Sequence, residues 1–319
     1  MATSKDVARL AGVSHTTVSR AFRGDVKLRP ETYKRVMDAA ATLNYTPNYL
    51  AASLKRQRSH TIGLIHSDIA NPFFMVVADR LQTLLEQEGF RLLIAFDGYN
   101  FEKQQRAVRT MIGSQAEAII FSPVAVPIEP DYIKNPNVHL IQLFSRQYPA
   151  LMSVDFDDCQ GAYTGAKYLL AHGHRRILFL GGSNRWQGYR DACQEQGVTP
   201  CFFEEDSEDD TEVLRSLQET IRTQGITALF PTGHRMARLS YQACKNMGLS
   251  IPDDISLIVF DEQQWTEMLD ITVIAHPIEA LAEALMECLQ TVLNGKPRPA
   301  PAVFQPYLLE RKSVKRIER

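Results

Sequence analysis

The sequence predicts an all-α helix-turn-helix head followed by an α/β body of two doubly wound parallel-sheet lobes. The first observation is charge: residues 1–60 carry eleven Lys/Arg and four Asp/Glu, a balance of +7, whereas the other 259 residues carry 24 and 33, a balance of −9. The second is periodicity, because short capped helices fill the basic part and apolar runs alternate with amphipathic helices in the rest. At 319 residues the chain is long enough for several cores.

Composition excludes several classes of protein. No apolar stretch approaches the ~20 residues of a membrane-spanning helix, and the N-terminus turns polar at once, unlike a secretory signal. Five scattered cysteines without a Cys-x-x-Cys pair argue against a disulfide framework and a zinc site. We therefore expect a cytoplasmic protein without a metal, a cofactor or a membrane contact.

Three short helices are predicted in the head. Thr3 caps the first helix, which ends at Gly12, and Val7, Leu10 and Ala11 share one face. Ser14 caps the second helix. Pro30 opens the third. The inward side chains of the last two helices are expected to be Val18, Ala21 and Phe22, then Tyr33, Val36, Ala40 and Leu43.

Two short helices joined by a turn that contains glycine form a helix-turn-helix. The outward face of the second helix carries His15, Thr16, Thr17, Ser19 and Arg20, all of which form hydrogen bonds. Base edges and phosphates require such groups, and an arginine can bind guanine bidentately. We expect Arg20 to read a base and Thr17 and Ser19 to contact phosphates.

The head resembles that of the lactose-repressor (LacI/GalR) family of bacterial transcription regulators. The matching residues are Ser4-Lys5-Asp6-Val7-Ala8, Ala11-Gly12-Val13-Ser14 and Thr17-Val18-Ser19-Arg20, followed by Tyr45-x-Pro47-Asn48 and Ala51-x-Ser53-Leu54. The resemblance implies that His15, Thr16 and Arg20 read bases in the major groove. With it, the expected DNA contacts are Ser4, Ser14, His15, Thr16, Thr17, Ser19, Arg20, Arg23, Asn48, Ala51, Leu54 and Lys55.

Residues 48–56 are predicted to form a short helix capped by Asn48. Nine residues are too few for an isolated helix, so we expect this segment to order only against a partner. The resemblance implies a hinge helix that pairs with its twin across a dimer and inserts Leu54 into the minor groove, where a leucine wedge kinks DNA. A plain flexible linker is the alternative.

The body begins at Thr61 with alternating strands and helices. Apolar runs at 62–65, 92–95, 118–121 and 140–143 alternate with two predicted helices, which predicts a parallel sheet covered on both faces. The first of these helices ends near Gly89 and the second lies around 101–113; one face of the first carries Phe74, Val77, Leu81, Leu84 and Leu85. A second series carries strands at 176–180, 228–230 and 255–260, with helices near 160–172, 187–196 and 235–247. The resemblance adds a periplasmic-binding-protein-like arrangement in which the chain crosses three times between the lobes.

The predicted boundaries follow from these patterns. Residues 1–46 form the head and residues 47–60 the hinge helix and linker. The N-terminal lobe comprises residues 61–158 and 276–296, and the C-terminal lobe comprises residues 159–275 and 297–319.

Ligands of such sheets bind beyond the carboxyl ends of the strands. By the resemblance, Arg185 matches a pocket arginine and Asp261 the acid after a strand, a pair that can grip vicinal hydroxyls or an anion. Phe73 and Phe74 could lie against a sugar face or pack in the core. The expected effector contacts are Asp68, Phe73, Phe74, Ser122, Arg146, Arg185, His234, Asp261 and Trp265.

Several departures from the family pattern bear on the effector. Phe144-Ser145-Arg146, Asp155-Phe156 and Ala275-His276 replace residues with which relatives bind neutral sugars, while Arg146, Arg185, His234 and Arg235 could add positive charge. A sugar phosphate or sugar acid is therefore one hypothesis for the effector. Solvent-facing positions for Arg146 and Arg235 are the alternative.

The sequence thus predicts a homodimeric regulator, most simply a repressor, that binds a pseudo-palindromic double-stranded DNA operator under the control of a sugar-like effector. An α/β enzyme is a rival class, although no phosphate loop, His-Glu-x-x-His or Gly-x-Ser-x-Gly motif is present and no catalytic residue is predicted. An exported sugar-binding protein would lack the basic head.

Overall fold

The computed structural model describes residues 2–22, 28–46, 59–125, 130–135, 138–204 and 207–317. These divide into two units, residues up to 59 and residues from 60 onward. The helices are α1 Ser4–Ala11, α2 His15–Ala21, α3 Pro30–Thr42, α4 Pro72–Gln87, α5 Phe101–Gly113, α6 Asp158–Ala171, α7 Ser183–Glu195, α8 Asp210–Gln224, α9 His234–Met247, α10 Gln264–Met268 and α11 Ile278–Leu293, with a 3₁₀ turn at Asp131–Lys134. None of these helices has the length and apolar character to cross a bilayer.

The strands are β1 Thr61–His66, β2 Arg91–Phe96, β3 Ala118–Phe121, β4 His139–Leu143, β5 Met152–Phe156, β6 Ile177–Leu180, β7 Cys201–Phe203, β8 Ala228–Pro231, β9 Ser256–Phe260, β10 Thr272–Ala275, β11 Ala302–Phe304 and β12 Tyr307–Leu309. They form one sheet in each lobe of the body, in the orders β11-β5-β4-β3-β1-β2 and β12-β10-β9-β8-β6-β7. Every pair is parallel except β10 with β12.

The head forms three helices at the predicted places. Thr3 and Asp6 make a reciprocal capping box on α1, and Gly12 ends that helix in the left-handed region at φ 63°. Ser14 Oγ accepts a hydrogen bond from Thr17 N at 3.1 Å, which caps α2. The core of the head contains Val7, Val18 and Val36, but the prediction was wrong for two side chains: Leu10 is 54% and Tyr33 43% exposed, and Ala8 and Ala39 are buried instead.

The body buries both faces of each sheet. In the first lobe α4 and α11 cover one face, where Ile62, Leu64 and Phe74 are buried, while α5 covers the other around Val108. The second sheet is packed in the same way between two apolar clusters. This is the arrangement expected for strands that are apolar on both sides.

The chain crosses between the lobes after β5, after β10 and after β11. The last crossing corrects a predicted boundary. Residues 297–319 were expected in the C-terminal lobe, but Ala302–Phe304 pairs with β5 at the edge of the first sheet, and the chain enters the second sheet only with β12. This strand is three residues long and half-buried, so it lacks a periodic signal.

Candidate functional site

A cleft of about 940 Å³ lies between the two lobes of the body, at the carboxyl ends of their strands. This is where ligands bind in open α/β sheets. The cleft has a polar floor, an apolar wall and a charged rim. Its lining includes His66, Asp68, Asn71, Phe73, Tyr99, Phe144, Arg146, Asp155, Phe156, Asp158, Asn184, Arg185, Thr232, His234, Arg235, Asp261 and His276.

Four interacting charged groups, which we call the floor quartet, consist of Asp158, Arg185, Asp261 and His276. Arg185 Nε donates to Asp158 Oδ2 at 2.8 Å. His276 Nε2 lies 2.9 Å from Asp158 Oδ1, and its Nδ1 lies 2.7 Å from Asp261 Oδ1. The imidazole of His276 therefore lies between the carboxylates of Asp158 and Asp261, and the guanidinium of Arg185 binds the carboxylate of Asp158.

Burial and charge act against each other within the quartet. Burial raises the pKa of Asp158, but Arg185 and His276 outweigh it and lower that pKa to about 2. Burial lowers the pKa of His276, yet hydrogen bonding and charge from Asp158 and Asp261 outweigh it and leave that pKa above the ordinary 6.5. The pKa of Arg185 is raised by Asp158 and Asp261 despite burial.

Local backbone geometry places each member of the quartet. Asp158 begins α6, which Asp157 caps by accepting a hydrogen bond from Gln160 N at 3.0 Å. Asp261 follows β9 in the left-handed region at φ 72°, and its N–H donates to Ile274 O at 2.9 Å. His276 follows β10 at a crossing between the lobes. The backbone thus fixes these three residues at the ends of elements.

Arg185 lies in the first turn of α7. Its guanidinium carbon is 4.0 Å from the centre of the Phe260 ring, and Nη1 donates to Thr232 O. Cation–π and hydrogen-bond contacts therefore hold the side chain on the floor. Only 19% of the side chain is exposed.

The wall of the cleft on the first lobe is aromatic. Phe144 and Phe156 stack with ring centres 5.7 Å apart, and Phe73 lies 5.8 Å from Phe144. Phe73 and Phe156 also contact the His276 ring at 5.1 and 4.1 Å. An apolar wall beside a polar floor suits a molecule with one apolar face and several hydroxyl groups.

Cations at the rim already have carboxylate partners. Arg146 Nε donates to Asp155 Oδ2 at 3.1 Å, and Arg235 Nε donates to Asp210 Oδ1 at 2.9 Å. His234 Nδ1 lies 3.7 Å from Asp68 Oδ2. Burial lowers the pKa of His66 to about 4, so this imidazole is neutral at pH 7. The cleft thus does not hold the excess of positive charge on which the hypothesis of an anionic effector rests.

The structure places six of the nine expected effector contacts in the cleft: Asp68, Phe73, Arg146, Arg185, His234 and Asp261. The other three lie elsewhere. Phe74 follows Phe73 on α4 and faces the core instead of the cleft. It is fully buried, and its ring stacks on that of His66 with the ring centres 3.8 Å apart. Ser122 Oγ lies 3.1 Å from His66 Nδ1, behind the lining. Trp265 packs on Tyr241 in the second lobe.

Sequence reasoning missed Asp158 and Tyr99, and it noted Phe156 and His276 only as departures from a pattern. Asp158 comes directly after an apolar strand and a capping aspartate, so the rule about strand ends could have identified it. The same rule could have identified His276, because it directly follows the buried strand Thr272–Ala275.

The head presents its own polar surface, on α2. His15 and Thr16 are exposed, and Thr17, Ser19 and Arg20 are half-buried. His15 Nε2 lies 2.8 Å from Ser4 Oγ, so the starts of α1 and α2 touch. Ser14 is exposed and forms the cap. The remaining expected DNA contacts and the hinge helix lie outside the described residues: Arg23, Asn48, Ala51, Leu54 and Lys55.

Two family models match the chain. The model described as "Bacterial regulatory proteins, lacI family" matches residues 3–48, and that of a periplasmic binding protein-like domain matches residues 166–314.

Curated relatives extend the match. The HTH-type transcriptional repressor PurR of Vibrio vulnificus is 30% identical, over 99% of this chain and 100% of its own. The regulator DegA of Bacillus subtilis is 31% identical, over 86% and 87%. The Lac repressor dimer solved with operator and the anti-inducer ONPF has the same fold, with a TM-score of 0.78, 24% identity and coverage of 98% and 99%. The chain therefore belongs to the LacI family of transcription regulators, with a helix-turn-helix head and a periplasmic-binding-protein-like body.

Proposed function

We propose that this regulator is a repressor that binds a pseudo-palindromic operator as a homodimer in the cytoplasm and responds to a sugar-like effector. The observation that carries the proposal is the presence, in one chain, of a helix-turn-helix and of an interlobe cleft with a polar floor and an aromatic wall. Among the relatives are the HTH-type transcriptional regulator GalR of Escherichia coli and a ribose operon repressor of Haemophilus influenzae.

In this proposal α2 enters the major groove. Exposed His15 and Thr16 would read base edges together with Arg20, while Thr17 and Ser19 would contact phosphates. The short α2 is rigidly capped by Ser14 and packed through Val18, which is fully buried. A fixed helix is what direct readout needs, because base contacts tolerate little displacement.

The geometry of the cleft favours a neutral polyhydroxylated effector over an anionic one. Arg146, Arg185 and Arg235 each have a carboxylate partner, so an anion would have to displace a carboxylate to gain a guanidinium. Carboxylates in a cleft accept hydrogen bonds from hydroxyl groups, amides both accept and donate them, and an aromatic wall receives the apolar face of a sugar ring. A sugar phosphate or sugar acid stays the second candidate, and the experiment below includes it.

An exposed apolar surface supports the homodimer. Leu93 and Ile94 on the edge strand β2 are 38% and 37% exposed, and Met75 and Val76 on α4 are 44% and 51% exposed. An unpaired strand edge with apolar side chains beside an apolar helix face is a surface that a second copy can cover.

We propose no enzymatic activity. Ion pairs connect Asp158, Arg185, Asp261 and His276 of the floor quartet to one another, and none of these side chains is a serine, cysteine or lysine nucleophile beside a base. The other alternative is an exported sugar-binding protein. Such a protein has no use for a helix-turn-helix, so the head of this chain disfavours that alternative.

The experiment is fluorescence anisotropy of the full chain on labelled DNA from upstream of its own gene, with and without D-galactose, D-ribose, cellobiose and their phosphorylated or acidic forms. The proposal predicts salt-dependent binding to one palindromic fragment and a change in affinity with one neutral sugar. Arg185→Ala should abolish that response, whereas the control Arg222→Ala, at an exposed pair on α8, should keep it. A response to acidic sugars alone would favour the second candidate, and no specific DNA binding would refute the proposal.

A further inference from the structure

The two nitrogens of His276 face two different carboxylates. Nε2 is 2.9 Å from Asp158 Oδ1 and Nδ1 is 2.7 Å from Asp261 Oδ1. The imidazole is 1% exposed and Asp261 6%. Within the part of the chain that is described, Nδ1 of His276 and Oδ1 of Asp261 are buried and have no hydrogen-bond partner of regular geometry, so the 2.7 Å contact joins them as an ion pair. Each of these two atoms therefore has the other as its ion-pair partner in a nearly buried position.

This geometry determines the protonation of the ring. A neutral imidazole has one N–H, and its second nitrogen is an acceptor that a carboxylate would repel. Only an imidazolium offers a donor to both carboxylates. The one other arrangement that satisfies both contacts has a proton on a carboxyl oxygen.

The elements around His276 supply a balanced set of charges. Asp158 comes from α6, Asp261 follows β9, and Arg185 of α7 acts through Asp158 at 2.8 Å. From α4, β5 and β9 come the uncharged rings of Phe73, Phe156 and Phe260, at 5.1, 4.1 and 5.4 Å. With His276 protonated, the quartet carries two negative and two positive charges, a neutral set that can remain buried.

We propose that His276 is a positioning residue of the effector site, which as an imidazolium holds Asp158 and Asp261 in one orientation for the effector. This inference rests on the proposed function of the cleft. Asp158 uses one oxygen for His276 and the other for Arg185, so it is fully engaged. Asp261 uses Oδ1 for His276, and its Oδ2 is the acceptor left for an effector hydroxyl.

Loss of the proton changes this arrangement. A neutral His276 can donate to only one carboxylate, so the other turns away from a bare nitrogen or takes up a proton. In either case Asp261 no longer presents a fixed, charged acceptor. Effector affinity should therefore fall as the pH rises through the pKa of His276, while operator binding without effector lacks this dependence.

The first test needs no effector. Long-range ¹H–¹⁵N correlation NMR on the full chain labelled with ¹⁵N-histidine distinguishes an imidazolium from the two neutral tautomers, and His276→Gln assigns the signal. We expect both nitrogens of His276 to be protonated at pH 7.5. A neutral tautomer at that pH would overturn the inference.

The second test measures the dissociation constant of the sugar identified among D-galactose, D-ribose and cellobiose between pH 6 and pH 9. Wild-type affinity should fall by roughly tenfold, which corresponds to a pKa of His276 about one unit higher in the complex. His276→Gln should remove this fall. His139→Gln, which removes an exposed histidine at the start of β4 that does not line the cleft, should retain it.

The two tests separate the possible failures. If none of the sugars binds, the proposed function fails in its effector, and the NMR result still decides whether His276 is charged. If a sugar binds with a constant affinity across the pH range in which the NMR titration shows His276 to lose its proton, the positioning role is refuted and the proposed function stands. Should His276→Gln fail to fold, the NMR titration of wild-type protein with and without sugar gives the same decision.

Discussion

The contact between α6 and α7 gives the sharpest prediction about stability. Gly188 lies where the two helices touch, and a Cβ at this position would be 1.8 Å from Cys159 O, 2.8 Å from Cys159 C and 2.9 Å from Tyr163 N. All three are backbone atoms, so no side-chain rotation can relieve the clash. Gly188→Ala must move one helix away from the other.

The size of the effect follows from these distances. To bring the closest contact from 1.8 Å to an ordinary 3.4 Å, the helices must separate by about 1.6 Å. Overpacking of this kind costs about 1–3 kcal/mol. The same movement breaks the bond of Arg185 to Asp158, because Arg185 lies one turn before Gly188, and a hydrogen bond to a charged group is worth about 1.5–3 kcal/mol. We expect a total loss of about 3–5 kcal/mol.

Urea unfolding followed by tryptophan fluorescence measures this loss. The two tryptophans of the sequence, Trp186 and Trp265, both lie in the second lobe, so the signal reports on the body. The control is Gly182→Ala, just before the same helix, where a Cβ meets open space. Because Gly182 is the N-cap of α7, the variant Gly182→Ala should lower the free energy of unfolding by less than about 1 kcal/mol. If Gly188→Ala also stays within about 1 kcal/mol of wild type, the argument from close helix contact is wrong.

Three further predictions concern other parts of the chain. Asp158→Asn should lower the free energy of unfolding at pH 7 by about 3 kcal/mol. Because the folded pKa of Asp158 is about 2, its contribution is present above about pH 4 and is lost as the pH falls toward 2. The urea midpoints of mutant and wild type should therefore draw together progressively between pH 4 and pH 2. Equal gaps at pH 7 and pH 2.5 would contradict this. Thr3→Ala should remove about 1 kcal/mol from α1, so that amide exchange of Asp6 accelerates about fivefold in the full chain, and unchanged exchange would exclude a working cap. Arg20→Ala should relax base preference in an operator selection, whereas Lys55→Gln should weaken binding to all sequences and flatten its salt dependence; the reverse pattern would exchange the proposed roles.

Local signals in the sequence predicted most of the fold. Caps and helix ends at Thr3, Gly12 and Ser14 are determined by residues within a few positions, and the structure has all of them. The alternation of apolar runs and amphipathic helices predicted both sheets for the same reason. The edge strands Cys201–Phe203 and Ala302–Phe304 were not predicted, because three residues are too few for a periodic signal. Helix α8 at Asp210–Gln224 was also not predicted, although its buried Val213, Leu217 and Ile221 recur at helical spacing.

The candidate site depends on contacts between distant parts of the chain. His276 and Asp158 are 118 residues apart, and only the folded crossings bring them within 2.9 Å. The pairing of Arg146 with Asp155 and of Arg235 with Asp210 is likewise tertiary, so a list of basic residues overestimated the positive charge of the cleft. Individual residues could be assigned to strand ends from the sequence, but their partners could not.

Coupling between the cleft and the head is the central claim of this account. The most direct measurement is the affinity of the full chain for its upstream operator fragment at fixed salt and pH, with and without a saturating neutral sugar, for wild type and for Arg185→Ala. The account predicts that the sugar changes wild-type operator affinity by about 5–150-fold and leaves that of Arg185→Ala unchanged. Equal operator affinity of the wild type with and without a sugar that demonstrably binds in the cleft would contradict it.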